Sequence, residues 1–241
     1  MPNDYFQFKQ FTVFQERSTL KVSTDSCVFG AWTAKKLAEL EYHVSGCLDI
    51  GAGTGLLMLM LAQQFAGPIQ GIEIDKDSFE QATENIKISP WYNRLQLFHN
   101  DAKIFSSTRQ YDFIISNPPF FEGDLKSAKQ KNNFAKHNDG LTLSDLLELA
   151  NRNLSQKGSF SVLLPIHRME YFISLAANYE LFVTNQLMVK QTPTHPFFRV
   201  ALIFSRRNNV VIKKEELTIR QTPNSYTRTF INLLQPYYLY L

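Results

Sequence analysis

The amino-acid sequence predicts an α/β fold, a doubly wound and mostly parallel sheet with an antiparallel edge strand. Three observations carry this. From Cys47 onward, short apolar runs of strand length alternate with segments of helix length, a pattern that implies parallel pairing with helical crossovers. The first of these runs ends in Asp49-Ile-Gly51-Ala-Gly53-Thr-Gly55 and passes straight into an apolar helix. The late strand-like segments follow one another without a helix between them, as antiparallel members of mixed sheets do.

Taken in order, FQFKQFTVFQ (Phe6 to Gln15) alternates apolar and polar residues and reads as a strand. A mostly apolar, Ala-containing run from Ser26 to about Leu40 reads as a helix ahead of the main fold. CLDIG (Cys47 to Gly51) is a buried strand and LLMLMLAQQF (Leu56 to Phe65) a buried helix. IQGIEID (Ile69 to Asp75) gives the second core strand, followed by a helix from Asp77 to about Ile88. LQLFH (Leu95 to His99) and YDFIIS (Tyr111 to Ser116) are the third and fourth. Leu143 to Leu154 is helical, SFSVLLP (Ser159 to Pro165) a strand and His167 to Asn178 a helix. LFVTNQLMV, FFRVALIFSRR and NVVIKKEELTIR read as strands, with HPFFRVALIF (His195 to Phe204) as the edge, and Ser225 to Leu234 closes the chain amphipathically. The polar stretch from Glu122 to Gly140 reads as the least ordered segment.

The chain has 241 residues, 44% apolar and 20% charged, which suits one globular domain with a sizeable core. A net charge of +3, from 25 Lys and Arg against 22 Asp and Glu, identifies no partner by its total. Cys27 and Cys47 stand in no metal-ligand spacing and read as buried reduced thiols, so neither a disulfide framework nor a metal is expected. No apolar run approaches the ~20 residues of a membrane span. The opening MPNDYFQFKQF lacks the layout of a secretion signal. A cytoplasmic monomer with no membrane partner is expected.

The glycine loop carries the first chemical signal. A loop that ends a strand and opens a helix turns backbone N–H groups and the positive end of the helix dipole outward. Gly51, Gly53 and Gly55 let a bulky ligand approach the main chain. The dinucleotide fingerprint needs its third glycine where Leu56 stands, and a phosphate loop needs a Gly-Lys-Ser/Thr that is absent. Asp49, just before the first glycine, would repel a pyrophosphate and suits an ammonium instead. Glu73 closes the second strand, where an acid in this layout takes both ribose hydroxyls. Asp101, in HNDA after the third strand, can accept from an exocyclic amine, with Ala102 beside it. Ammonium, ribose and adenine amine without phosphate describe S-adenosylmethionine.

The second signal is Asn117-Pro118-Pro119-Phe120, directly after an apolar strand. Two prolines make the backbone stiff and extended, and their carbonyls still accept hydrogen bonds. A rigid patch of acceptors beside an aromatic ring suits a planar base bearing an amino group.

These residues resemble the class I S-adenosylmethionine-dependent methyltransferases that modify amino groups. A closer resemblance is to the bacterial family that methylates N6 of adenosine thirty-seven, beside the anticodon, in a valine tRNA. LKVSTDSCVFGAWTA (Leu20 to Ala34) and the Tyr-rich tail SYTRTFINLLQPYYLYL carry that closer likeness. The resemblance implies a seven-stranded, Rossmann-like methyltransferase sheet. Residues 1–241 would form one domain, with 1–45 an N-terminal extension covering the site and 46–241 the core. By the same resemblance Thr24 and Asp25 close over the cofactor from the N-terminal side.

Asn117 and the Pro118 carbonyl would accept both N–H bonds of the target amine, Pro119 would stiffen the turn, and Phe120 would stack on the base. The expected partner is the anticodon loop of a tRNA, where an unpaired adenine is the least costly to extrude. Phosphate contacts are expected from Lys126, Lys129, Lys131 and Lys136 with His137, and from Arg199; a solvated lid explains the lysines equally well. Two other acceptors stay open on the residues: guanine N2 in ribosomal RNA, and a protein glutamine amide as in release-factor methyltransferases. Against the second, Phe120 stands where those enzymes usually carry Tyr, and only about forty-five residues precede the core.

Overall fold

The computed structural model describes residues 3–119, 140–208 and 210–241. The chain begins with a hairpin, β1 (Tyr5–Gln7) and β2 (Thr12–Phe14), and then α1 (Thr24–Ala38). The α/β succession follows as β3 (Cys47–Ile50), α2 (Leu56–Gln64), β4 (Ile69–Glu73), α3 (Lys76–Lys87), β5 (Leu95–His99) and β6 (Tyr111–Ser116). After the undescribed stretch come α4 (Leu143–Asn153), β7 (Leu154–Pro165), α5 (Met169–Ala177), β8 (Phe182–Lys190), β9 (Phe197–Ser205) and β10 (Lys213–Thr218). A small pair, β11 (Arg220–Thr222) and β12 (Ser225–Tyr226), leads into α6 (Arg228–Leu234).

The main sheet runs β10-β8-β9-β7-β6-β3-β4-β5. All its pairings are parallel except those of β9, which is antiparallel to both β7 and β8. One apolar cluster, drawing on α1, α2, α3 and α6, fills one face, and a second, drawing on α4 and α5, fills the other. Successive side chains of β3 alternate between them: Leu48 and Ile50 belong to the α4/α5 face, Cys47 to the α1/α2 face. Asp49 therefore points toward α1 and α2.

The doubly wound architecture stands, with three corrections. The sheet has eight strands, not seven. Its antiparallel member is interior, so the segment His195 to Phe204, expected at the edge, forms β9 between two neighbours. Its run from Val200 to Ser205 is continuously buried, the signature of a strand covered on both faces. The edge on that side is β10, whose KKEELT carries the exposed charges that blunt edge pairing. Finally, Phe6 to Gln15 is a hairpin rather than one strand, because the alternation persists through a reversal closed by Phe8 N–H to the Phe11 carbonyl at 2.8 Å. Both cysteines are buried and free, as read from the sequence. Among the described residues no helix is long and apolar enough to cross a membrane.

Candidate active site

The glycine loop is built on left-handed backbone. Gly51, Gly53 and Gly55 have φ of 75°, 55° and 79°, a region costly to any residue with a Cβ. The Gly51 and Ala52 amides both donate to the Ile72 carbonyl, at 2.9 and 3.0 Å, which ties the loop to the end of β4. A Cβ built on Gly51 or Gly53 would meet nothing within 4 Å, whereas one on Gly55 would lie 3.4 Å from Ala82. The first two glycines thus border open space and the third packs on α3. Gly55 caps α2 without a side-chain bond, leaving the amides of the first helical turn available.

Asp49 sits beneath this loop, fully buried, and neither carboxylate oxygen has a hydrogen-bond partner. Burial first, and then the nearby charge of Glu73, push its pKa up to about 8; the Met58 amide, short of hydrogen-bond geometry, opposes them. Asp112, buried at the other end of the sheet, shows what a structural aspartate looks like. It accepts from Ser45 N–H (2.8 Å), Ser45 Oγ (2.7 Å) and Ser155 Oγ (2.6 Å). Burial would raise its pKa, but those bonds hold it below the usual range. A buried carboxyl without such partners is destabilising on its own and fits a group that a ligand completes.

Glu73, at the end of β4, accepts from Gly53 N–H and Asp75 N–H, both at 2.8 Å. Burial nevertheless raises its pKa, against those two amides. Asp101 and Ala102 follow β5 and are half-buried. Asn100 N–H donates to the Glu73 carbonyl at 3.0 Å and Lys103 N–H to Asp101 Oδ1 at 2.9 Å, so this turn is fastened next to Glu73. Asp49, the three glycines, Glu73, Asp101 and Ala102 therefore line one stretch of the sheet's carboxyl edge.

Asn117 joins them from β6. The register pairs Asp49 with Ile115 and Ile50 with Ser116, and Ser116 Oγ locks the two strand ends by donating to the Ile50 carbonyl at 2.8 Å. Continuing that register sets half-buried Asn117 across from Gly51, about 5 Å away by strand spacing. Pro118 is buried and Pro119 half-buried behind it. Phe120, and Lys126, Lys129, Lys131, Lys136 and His137, lie outside the described residues.

Thr24 and Asp25 open α1 behind a Ser23–Ser26 capping box. Thr24 is exposed, while the Asp25 carboxylate is turned to β9, where Arg199 Nε donates to it at 2.7 Å. Burial would raise the Asp25 pKa, but the Ser23 hydroxyl and the Arg199 guanidinium outweigh it and hold it low. Arg199, expected at a phosphate, is thus engaged in this ion pair.

One supporting residue escapes the sequence reading. Asn85 of α3 is fully buried, accepts from Phe14 N–H (2.9 Å) and donates to the carbonyls of Phe14 (2.8 Å) and Thr54 (3.0 Å). It fastens the N-terminal hairpin to the glycine loop. The signal was present: Ser78, Gln81 and Asn85 recur at helical spacing on the buried face, where apolar residues belong.

Comparison with known proteins places this geometry. The family model of the methyltransferase small domain matches residues 33–171. The tRNA1(Val) (adenine(37)-N6)-methyltransferase of Flavobacterium johnsoniae is 38% identical over 237 residues, covering 97% of this chain and 99% of that protein. Its counterpart in Phocaeicola vulgatus is 37% identical over 239 residues, covering 99% of each. Among solved structures, a predicted O-methyltransferase of Agrobacterium tumefaciens superposes with a TM-score of 0.63 at 14% identity, covering 84% of this chain and 95% of that one. That last likeness shows the fold alone.

Proposed function

This chain belongs to the family of tRNA1(Val) (adenine(37)-N6)-methyltransferases, and we propose that it methylates the N6 amine of adenine 37, beside the anticodon of a valine tRNA, from S-adenosylmethionine. The observation that carries the acceptor assignment is Asn117, held at the end of β6 across from the glycine loop and stiffened by two prolines.

The residues present fit the cofactor. The orphaned Asp49 carboxylate offers a charge partner for an ammonium, and the open ground before Gly51 and Gly53 admits a ligand to the main chain. When bound, S-adenosylmethionine supplies an electrophilic methyl group on a sulfonium. Glu73 keeps lone pairs for ribose hydroxyls beyond its two backbone bonds, and Asp101, with Ala102, faces the adenine end. Thr24 and Asp25 approach from α1, and residues 1–45 cover the site of a single domain spanning 1–241.

An adenine amine is a poor nucleophile because its lone pair is delocalised into the ring. Asn117 Oδ1 and the Pro118 carbonyl accept its two N–H bonds, aim the lone pair and oppose the positive charge that grows on nitrogen. Pro118 and Pro119 make those acceptors rigid, since about 1 Å of misplacement costs on the order of a hundredfold in rate. Phe120 stacks on the base. No general base is needed, because the proton leaves after transfer. A tRNA substrate supports a cytoplasmic location.

The test is transfer of labelled methyl from S-adenosylmethionine to total tRNA and ribosomal RNA from a strain lacking this protein, followed by nucleoside mass spectrometry. Label in tRNA as N6-methyladenosine is expected. Label in ribosomal RNA as methylguanosine would keep the mechanism and discard the substrate, and label in no RNA would move the acceptor to protein.

A further inference from the structure

Charge is unevenly spread along this chain. Residues 181–241 hold eight Lys and Arg against two Asp and Glu, a net +6, although the whole chain is only +3, so the first 180 residues carry −3. The two acids are neighbours in β10, and Glu215 is already taken by Trp32 Nε1 at 3.1 Å and Lys36 Nζ at 3.0 Å.

The fold concentrates part of this excess on the carboxyl edge, beyond Asn117. β8 ends at Lys190, which pairs with Phe197 at the start of β9 and with Thr218 at the end of β10. Ile219 N–H donates to the Lys190 carbonyl (3.0 Å) and Arg220 N–H to the Gln191 carbonyl (2.9 Å), so Arg220 adjoins the end of β8. Lys190 Nζ lies 5.0 Å from the Phe197 ring centroid, and the Arg220 guanidinium carbon 4.5 Å from that of Tyr226. The order β6-β7-β9-β8 places Lys190 three strands from β6, about 14 Å by strand spacing. Cations laid over half-buried aromatic faces are what a nucleic-acid strand meets, charge for phosphates and rings for bases.

We propose that Lys190, Phe197 and Arg220 form a docking rim for the RNA strand flanking the target adenine, the cations on its phosphates and the Phe197 ring under a neighbouring base, while Tyr226, stacked between Phe230 and the Arg220 guanidinium, holds that cation in place. This rests on the assignment of Asn117 to the acceptor amine, which fixes the end of the strand that enters the site. Arg199 is a positioning residue here: paired with Asp25 and 5.9 Å from the Phe198 ring, it anchors the start of β9.

The experiment is fluorescence anisotropy of a labelled tRNA(Val) transcript against the full chain over a range of salt. For the double variant Lys190→Gln, Arg220→Gln we expect at least tenfold weaker binding at low salt and a log K against log [salt] slope shallower by about 1.4–1.8, two phosphates' worth. Lys190→Arg in place of Lys190→Gln restores about half of that slope. Phe197→Leu weakens binding about tenfold and leaves the slope unchanged, because stacking carries no counterions. A double variant with the affinity and slope of the wild type overturns the rim, whatever its methylation activity. Failure of the acceptor reading shows elsewhere: the wild type would bind with the full slope and yet transfer no methyl to tRNA.

Discussion

Over β3, β4 and β5 the carboxyl edge of the sheet presents glycines and carboxyls held by the main chain, whereas over β9, β8 and β10 it presents cations and aromatic rings on long side chains. In the first half the main chain holds the loop and Glu73, through three left-handed glycines and the Gly53 and Asp75 amides on Glu73, above a buried Asp49 whose oxygens it leaves unpartnered. In the second, Lys190, Phe197, Arg220 and Tyr226 are half-buried and hold one another by cation–ring contacts. On the proposed assignments the difference follows from the ligands. A small cofactor of one shape is bound by a preformed cradle, and even by a strained one. A large anionic polymer must arrive, slide and leave, which favours charge carried on long, partly exposed side chains. Asn117 stands where the two halves meet.

The sharpest way to break this division is at that meeting point. Asn117→Ala removes one preorganised acceptor and should lower kcat a hundred- to a thousandfold, about 2.7–4 kcal/mol, while the cofactor dissociation constant stays put. Single-turnover methyl transfer paired with calorimetry reads both, and lost cofactor binding would move Asn117 into the cofactor half.

Asp49→Asn is the converse. Cofactor affinity should fall by about thirtyfold or more, roughly 2 kcal/mol, because the ammonium loses its charged partner. The free protein should behave oppositely. Asp49 titrates at about 8 folded against an ordinary 3.8, so the folded state holds the extra proton between those values. Its contribution to stability is full below about pH 4 and is lost as pH rises through about 8. The substitution should flatten that decline and raise the Tm of the ligand-free protein at pH 8.5. Thermal denaturation across pH, without cofactor, decides it; an equal decline in the variant would refute the orphaned carboxyl.

Within the cofactor half, the glycines separate fold from site. Gly53→Ala and Gly55→Ala should each cost about 1–2 kcal/mol in denaturant unfolding, the strain of a Cβ on left-handed backbone. Gly53→Ala should also weaken cofactor binding, since its methyl enters the open ground before the loop, while Gly55→Ala presses on Ala82 instead. Calorimetry giving the same affinity for both variants would mean that the open ground is not the cofactor's.

How far the two halves were legible in the sequence differs for the same reason. The cofactor half is local: the bounds of β5 and β6 read from the sequence are those observed, because each is an apolar run stopped by polar or Pro residues. Asp49, Glu73 and Asp101 each end or follow a strand, so topology alone aligns them. Beyond β7 the order of strands depends on which long-range pairs form. The run His195 to Phe204 looks the same whether it lies at an edge or inside, until one weighs the unbroken burial of its apolar end against the charges of Lys213 to Glu216. The Asp25–Arg199 pair joins residues 174 apart and leaves no local trace. Asn85 was legible in principle, as a polar residue at a core position.

That pair gives the smallest expected effect and tests whether the halves are mechanically joined. Asp25 belongs to α1, packed on the glycine-loop helix α2, and Arg199 to β9, which starts the basic rim. Both side chains are partly exposed, so solvent screens the attraction, and Asp25→Asn should cost only about 1 kcal/mol at pH 7. Asp25 is held below the ordinary carboxyl range when folded, so its contribution is present above about pH 4 and disappears as pH falls through the lower folded value. Urea unfolding of wild type and variant should therefore diverge at pH 7 and converge in acid. If the pair also transmits position, the variant should bind tRNA less tightly with an unchanged salt slope, because the rim would be misplaced and not discharged. Unchanged tRNA affinity alongside the stability loss would make the pair a local fastening, and the two halves would then act independently.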